Sequence, residues 1–356
     1  MPSLPNLPSN SKRPPKLQVL SILIGLLLAT VAAECVGRSF VAQDGGFVLD
    51  AAFGLSHKPG HYVYSSEGFS TGRFTRDGFR DFELTPPRAG ATDVAVYGDS
   101  YTEACYIPAK ETFAHVAQSR LPQFRFNIYA ISSGSMARYI QWNKAVKTRI
   151  DPQVAIYVLN ESDFTSDVVA DLNGSGPATV TRLGPGCFET RTNEHAVSSR
   201  LKAGPVVDKL MSCSLPYLLA LNVLSKDRPH AASARISPTN GSRLNVEYLD
   251  WCFSRMRVSA PRVLVLYIPS LAYHREPASE AASRMIERYL SGYRGDERFH
   301  ILNMRDSFSA LYEDRALESH GFGNTLPGFG HINATGHRQV AEAIVKELSA
   351  PWPSHP

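Results

Sequence analysis

Apolar segments with strand character alternate with amphipathic segments along most of the chain, and this alternation limits the possible folds more than any other feature. The strand-like segments span 93–98, 125–131, 153–160, 262–269 and 299–304. Residues with helical spacing lie between and after them, over 111–121, 137–150, 246–259, 277–291 and in the last part of 331–348. The segment QVAIYVLN is apolar throughout, as expected for a parallel strand covered on both faces. The sequence therefore predicts a three-layer α/β/α sandwich with a five-stranded parallel sheet.

Two regions fall outside this alternation. Residues 165–245 are rich in Gly, Pro, Ser and Asn, with one predicted helix near 205–225, so we interpret them as an insertion. Residues 35–91 are rich in aromatic residues and Gly and show no clear period, which indicates an N-terminal extension. The predicted α/β domain then spans 92–350 and contains the insertion.

The balance of charge excludes one class of partner. The chain of 356 residues has 37 Lys and Arg against 33 Asp and Glu, a net charge of +4. No basic block is interleaved with aromatic residues, so nucleic acid is not an implied partner.

The N-terminal segment predicts export. Lys12, Arg13 and Lys16 precede the 17 uncharged residues 17–33, LQVLSILIGLLLATVAA. A cleaved signal peptide has this pattern, and so does a short membrane anchor that holds the N-terminus in the cytoplasm. Residues 1–16 are then a disordered cytoplasmic tail and 17–34 an anchor or signal peptide. The rest lies in the periplasm, attached to the inner membrane or, after cleavage, free in the periplasm or secreted.

The five cysteines give no metal-binding pattern. None of the pairs has the spacing of a zinc site, so no metal is expected. Export permits disulfides, and Cys187 and Cys213 fall in the same irregular region. Two interpretations stay open: a bridge between these two, or buried thiols.

Polar motifs follow the predicted strands at their carboxyl ends, where ligands bind in an open parallel sheet. Gly98-Asp99-Ser100 follows the first strand and opens a helix, so Ser100 is either a helix cap or a nucleophile. Ser132-Ser133-Gly134 follows the second strand, and LNESDF (159–164) closes the third. His331 precedes the last helix and could act as a general base. His337, on that helix, is better explained as a solvated or hydrogen-bonded residue.

These motifs, in this order, resemble the SGNH hydrolase superfamily of GDSL-like esterases, lipases and acyltransferases, in its exported bacterial type. VAVYGDSYTEA matches the first block of the family and GHINATGHRQVAEAI the last, while YAISSGSMARY and PQVAIYVLNESDF resemble the two middle blocks. The resemblance implies a flavodoxin-like sheet, Ser100 as nucleophile, His331 as base and Gly134 as an oxyanion donor. It implies no organic cofactor.

The chain departs from the family pattern at two positions. Ser162 stands where the family has the Asn that donates to the oxyanion, and Asn160 lies two residues earlier, so either could donate. The family also places an Asp two or three residues before the His, where this chain has Phe329 and Gly328. The replacements nearest in sequence are Glu318, Asp314 and Asp306, or a backbone carbonyl.

The sequence thus predicts an exported serine esterase or O-acyl (acetyl) transferase that acts on ester-linked acyl groups by a Ser-His mechanism. Its expected partners are an acylated small molecule or a polysaccharide, such as a cell-envelope glycan, and the membrane through residues 17–33. The alternative is a catalytically degraded domain of the same fold that serves as a glycan-binding or envelope-assembly module.

Overall fold

The computed structural model describes residues 15–40, 46–64, 67–193, 244–271, 277–293, 295, 299–325 and 328–350. The predicted helix near 205–225 and Cys213 lie outside the described residues. The chain divides into two units, and the second unit contains 42–204 and 231–356. Residues 46–91 of the predicted N-terminal extension 35–91 therefore belong to the same unit as the α/β domain.

The uncharged N-terminal segment forms part of helix α1, Pro15–Phe40, in the first unit. Within the described residues, no helix has the length and apolar character needed to cross a membrane. The segment predicted as an anchor or signal peptide, 17–34, lies within α1 and stays a prediction.

The main sheet has five parallel strands, as predicted. They are β5 (Thr92–Gly98), β6 (Phe124–Ala130), β7 (Val154–Asn160), β10 (Arg262–Ile268) and β11 (Phe299–Asn303). Their spatial order is β6-β5-β7-β10-β11, which is 2-1-3-4-5 in chain order and matches the predicted flavodoxin-like topology. The order of the strands reverses between β5 and β7, so the carboxyl ends of these two strands open the crevice where such sheets bind ligands.

Alternate residues of each central strand enter different apolar layers, which produces the three-layer sandwich. One face of the sheet packs on helices α4 (Met136–Lys147), α7 (Val246–Arg257) and α8 (Pro277–Ser291). The other face packs on α3 (Phe113–Arg120), α9 (Arg305–Arg315) and α10 (Ala334–Ser349). All seven residues of β7 are buried, which agrees with its apolar sequence.

Short antiparallel hairpins precede the sheet. Strand β1 (Phe47–Asp50) pairs with β2 (Gly54–His57), and β3 (Gly60–Tyr64) pairs with β4 (Ser70–Phe74). The sequence predicted no regular structure for this part of the extension. Strands of four or five residues are too short to show a period, and their side chains pack on the α/β domain as well as on each other.

Three short helical segments follow the strand ends. They are α2 (Ser100–Glu103) after β5, and α5 (Glu161–Phe164) and α6 (Ser166–Asn173) after β7. The described start of the predicted insertion also contains a third hairpin, formed by β8 (Ala178–Gly184) and β9 (Cys187–Thr192). The insertion is thus partly regular structure. Cys187 is a free, exposed thiol.

Candidate active site

Ser100 lies at the junction of strand β5 and helix α2. The Asp99 side chain caps this helix and accepts a hydrogen bond from the Tyr101 N–H at 2.9 Å. Gly98 allows the tight turn, because a Cβ atom here would overlap the Thr102 side chain. Ser100 is the first residue of the helix, so its own N–H has no intrahelical acceptor and can serve a ligand.

His331 meets Ser100, although 231 residues separate them in the chain. The distance from His331 Nε2 to Ser100 Oγ is 2.7 Å, which is within hydrogen-bond reach of a base and its nucleophile. The imidazole stacks on the Tyr106 ring with centroids 4.5 Å apart and contacts the Tyr101 ring at 4.8 Å. The Tyr101 hydroxyl donates to the Gly330 carbonyl at 3.2 Å. The base is therefore fixed by aromatic rings on the nucleophile's side of the site.

A carboxylate completes the arrangement, and it comes from the N-terminal extension. Glu67 Oε2 lies 2.6 Å from His331 Nδ1 and also accepts the His331 backbone N–H at 3.2 Å. Burial alone would raise the pKa of Glu67, but the hydrogen bond from the His331 ring and the charge of His331 together hold it below its usual value. Glu67 is thus an ionised acceptor that favours the imidazole tautomer with its proton on Nδ1.

The three acids proposed from the sequence do not fill this role. Asp306 and Asp314 are exposed on helix α9, and the Glu318 backbone carbonyl accepts from the Asn333 side chain. These three acids were predicted only because they lie near His331 in sequence. Glu67 lies 264 residues away, between β3 and β4, in a region without periodicity.

Two contacts place Glu67 against the base. The Asn324 side chain accepts the Gly68 N–H at 2.7 Å and donates to the Gly68 carbonyl at 3.1 Å. Gly330, with φ +84°, leaves room for the carboxylate, since a Cβ atom there would lie 2.8 Å from Glu67 Oε1. The loop that carries Glu67 is therefore held by the loop that carries His331.

Each oxyanion donor proposed from the sequence already has an acceptor within the chain. The Gly134 N–H donates to the Ile131 carbonyl at 3.0 Å. The Ser162 hydroxyl donates to Asp167 Oδ2 at 2.7 Å, and the Asn160 side-chain amide donates to Asp99 Oδ2 at 2.7 Å. The Asn160 amide keeps a second proton. Gly134 and Ser162 do not reach the site as free donors.

Another backbone amide of the same turn is available. Ser133 adopts φ +64°, a left-handed conformation that is uncommon for a residue other than glycine. Among the hydrogen bonds of the described residues, the N–H groups of Ser100 and Ser133 have no protein acceptor. The sequence motif indicated Gly134 as the donor. Among the described residues, the hydrogen bonds of the turn instead leave the Ser133 N–H without an acceptor.

Buried carboxylates lie beneath the site, next to the carboxyl end of β7. Burial raises the pKa of Asp99 and raises that of Asp163 well above its usual value. Burial also raises the pKa of Asp167 to about 6 and that of Asp171 to about 7. Asp171 accepts hydrogen bonds from the Ser135 hydroxyl and the Tyr248 hydroxyl, both at 2.9 Å. The sequence patterns gave no indication of these buried carboxylates.

His337 is a core residue that makes a hydrogen bond, and it is not solvated. It is fully buried, and its Nδ1 accepts the Phe113 N–H at 3.2 Å. Burial lowers its pKa well below the usual value, so the ring is neutral. In the part of the chain that the structure describes, no group of three or more His, Cys, Asp or Glu side chains is arranged to hold a metal ion.

Comparison with known proteins finds likeness in structure only. No protein-family model matches the chain, and no curated protein matches it. Among solved structures, it is similar to a lipolytic protein of the G-D-S-L family from Veillonella parvula, at 11% identity and a TM-score of 0.39, with 72% of this chain and 97% of that one covered. An acetyl xylan esterase has 13% identity and a TM-score of 0.39, with 72% and 99% covered. An acetylxylan esterase from Geobacillus stearothermophilus has 10% identity and a TM-score of 0.37, with 75% and 99% covered.

The first of these structures carries the family description that the motifs of this chain resemble. With TM-scores below 0.5, the likenesses add no argument about activity. The case for the chemistry rests on Ser100, His331 and Glu67, whose hydroxyl, imidazole and carboxylate form a hydrogen-bonded row. Such a row activates a serine hydroxyl for attack on an acyl carbon.

Proposed function

We propose that this protein is a serine esterase or acyl transferase in which Ser100 is the nucleophile, His331 the general base and Glu67 the orienting acid. The observation that carries the proposal is the continuous pair of hydrogen bonds, 2.7 Å from Ser100 Oγ to His331 Nε2 and 2.6 Å from His331 Nδ1 to Glu67. A capping role does not account for Ser100, because Asp99 is the cap of helix α2, and it would not explain an aligned imidazole and carboxylate next to the Ser100 hydroxyl.

The geometry defines the first half of the reaction. With its proton on Nδ1, His331 presents the Nε2 lone pair to the Ser100 hydroxyl. Ser100 Oγ attacks the acyl carbonyl carbon, its proton passes to Nε2, and the carbonyl electrons move to the oxygen. The tetrahedral intermediate then collapses, and the leaving alcohol takes the proton from Nε2. The products are acyl-Ser100 and a free alcohol.

The second half reverses these steps with a different hydroxyl. His331 takes a proton from water in hydrolysis, or from a sugar hydroxyl in transfer, and that oxygen attacks the acyl-Ser100 carbonyl. The second tetrahedral intermediate then breaks its bond to Ser100 Oγ, which takes the proton from Nε2, and the free acid or the acylated sugar leaves. Throughout, Glu67 stabilises the imidazolium that forms on His331. We propose ester-linked acyl groups on cell-envelope glycans as the substrate class. The support for this choice is the predicted export and the resemblance of the motifs to exported SGNH proteins.

A fluorophosphonate probe tests the proposed chemistry. We expect the full-length protein to be labelled once, to release 4-nitrophenol from 4-nitrophenyl acetate with a burst, and to lose both properties in Ser100→Ala. Ser119→Ala is the matched control, because the hydroxyl of Ser119 is exposed on helix α3 and bonds only to the Val116 carbonyl. A folded wild-type protein that is neither labelled nor active, yet binds acylated glycans, would favour the binding-module alternative.

We propose further that the protein is exported. The support is the sequence itself, since Lys12, Arg13 and Lys16 precede 17 uncharged residues. Cell fractionation followed by intact mass measurement tests this proposal. Recovery of full-length protein from the cytoplasm alone would contradict export, whereas loss of about the first 33 residues would identify a cleaved signal peptide.

A further inference from the structure

Three donors converge on one buried carboxylate that the reaction above does not use. Glu103 ends helix α2, three residues after Ser100, and is 2% exposed. Its Oε1 lies 2.6 Å from His57 Nε2. Its Oε2 accepts the Ser132 N–H at 3.0 Å and, in a shorter contact, the Ser132 hydroxyl.

The Glu103 carboxylate is ionised in spite of its burial. Burial alone would raise its pKa, but the hydrogen bond from His57, the charge of His57 and the two bonds from Ser132 together lower it. The His57 ring is itself fixed, because it stacks on Phe74 with centroids 3.8 Å apart. A buried carboxylate with charge-assisted bonds in fixed positions resists displacement.

A second buried side chain fixes the backbone that carries Glu103. Arg80 is 2% exposed, and its guanidinium donates to the carbonyls of Glu103 at 2.9 Å and Ile107 at 2.6 Å, and in a shorter contact to that of Ala104. These are carbonyls at and just after the C-terminal end of α2, where a positive charge is favourable. Helix α2, with Ser100 at one end and Glu103 at the other, is therefore held from both sides.

Ser132, which donates two hydrogen bonds to Glu103, belongs to the turn after β6. Within that turn, the Gly134 N–H bonds the Ile131 carbonyl and the Ser132 N–H bonds Glu103. Of the three amides at 132–134, only that of Ser133 has no acceptor among the described residues. Ser133 is held at φ +64° between these two bonded neighbours. Such strain persists where the surroundings impose it, and it is frequent at functional sites.

We propose that Glu103 is a positioning residue that fixes the Ser132–Gly134 turn relative to Ser100, so that the Ser133 N–H joins the Ser100 N–H in stabilising the oxyanion. This inference rests on the proposed function, since it concerns the tetrahedral intermediate at Ser100. Ser100 and Glu103 lie on the same short helix, α2. This one element therefore sets the separation of the Ser100 and Ser133 N–H groups. Donors act on an oxyanion only within about 0.5 Å of the productive geometry, and a misplacement of about 1 Å can cost roughly 10²-fold in rate.

Four variants of the full-length protein test the role of the hydrogen bonds between Glu103 and Ser132. Ser132→Ala removes the hydroxyl donor, Ser132→Thr keeps it, and Glu103→Gln replaces an ionised acceptor by an amide. Ser56→Ala is the matched control: this buried serine neighbours His57 in sequence, and its hydroxyl has no hydrogen-bond partner in the described structure. The measurements are kcat and KM for 4-nitrophenyl acetate per fluorophosphonate-reactive site, and the inhibition constant of phenylboronic acid, which forms a tetrahedral adduct on the serine.

We expect Ser132→Ala to lower kcat about 10-fold with KM nearly unchanged, because only transition-state binding is lost. The inhibition constant of phenylboronic acid should rise by about the same factor. Glu103→Gln should lower kcat by roughly 10²-fold, as for the loss of one oxyanion donor. Ser132→Thr and Ser56→Ala should stay within about 3-fold of wild type.

The proposal is overturned if Ser132→Ala and Glu103→Gln lower the melting temperature while kcat per reactive site and boronate affinity stay at the wild-type level. It is also overturned if Ser56→Ala lowers kcat as much as Ser132→Ala. If Glu103→Gln does not fold, the comparison of Ser132→Ala with Ser132→Thr alone tests the proposal. Failure of the proposed function looks different, because the wild-type protein would then show neither labelling nor turnover.

Discussion

Replacement of Glu67 by Gln is the most informative perturbation of the site, because Glu67 was found only in the structure. The carboxylate takes two donors from His331, the ring Nδ1–H at 2.6 Å and the backbone N–H at 3.2 Å. A carboxamide can instead donate to Nδ1, which moves the proton to Nε2. The imidazole could then no longer accept the Ser100 proton.

The expected size of the effect follows from the exposure of the pair. In a fully buried triad, loss of the acid lowers kcat by about 10⁴-fold, or about 5.5 kcal/mol of transition-state stabilisation. Here the Glu67 side chain is 26% exposed and that of His331 is 21% exposed. Water can therefore replace part of the interaction. We expect Glu67→Gln to lower kcat/KM by about 10² to 10³-fold, or about 2.7–4 kcal/mol.

Steady-state hydrolysis of 4-nitrophenyl acetate measures this loss, and circular dichroism checks that the variant is folded. Asp314→Asn is the matched control, since it neutralises an exposed acid that the sequence also offered as a partner for His331. The reasoning is refuted if folded Glu67→Gln keeps kcat/KM within about 3-fold of wild type. It is equally refuted if Asp314→Asn causes the larger loss.

Three further predictions concern groups around the site. Gly330→Ala should destabilise the protein by about 1–3 kcal/mol, because φ at this position is +84°. It should also lower kcat, because the new Cβ would lie 2.8 Å from Glu67 Oε1. Calorimetry measures the stability and kinetics the kcat, and an unchanged kcat would contradict the contact with Glu67. Asn324→Ala removes both hydrogen bonds to Gly68 and should lower kcat several-fold without moving KM, and a pure KM effect would contradict this role. The folded state binds the Asp171 proton more tightly than the unfolded chain, since burial raises the pKa of Asp171 to about 7. The free energy of unfolding should therefore fall as pH rises from about 4 to about 7, by on the order of 4 kcal/mol from this group. Urea unfolding at pH 5 and pH 8 should show a smaller fall in Asp171→Asn, and an equal fall would exclude Asp171 as the cause.

The sheet could be predicted because its information is local. Each predicted strand falls within two residues of a strand in the structure, and β7 is as fully buried as its apolar sequence indicates. The meeting of Ser100 and His331 was expected from the resemblance to the SGNH family, because helix α9 lies between β11 and His331 and the strand pattern alone does not place this residue. Helix α9 was missed, although it follows β11 directly and packs through Phe308.

The remaining parts of the site depend on contacts that no local pattern encodes. Glu67 comes from a hairpin loop without periodicity, and its role arises only when that loop docks against His331. Of the oxyanion donors predicted from the sequence, the Gly134 N–H closes its own turn and the Ser162 hydroxyl bonds Asp167, whereas the Asn160 amide keeps a second proton. Glu103 stands inside the recognised motif, yet spacing alone could not distinguish a buried acceptor from a solvated one.

The origin of Glu67 changes where the catalytic unit begins. A chain shortened to the boundary that the sequence suggests, residue 92, would keep every strand of the main sheet and both Ser100 and His331. It would lose the carboxylate, His57 and Arg80, and with them the orientation of the base and two supports of Glu103. The two small hairpins before the sheet are therefore part of the candidate active site, and fragments for biochemistry should start ahead of them.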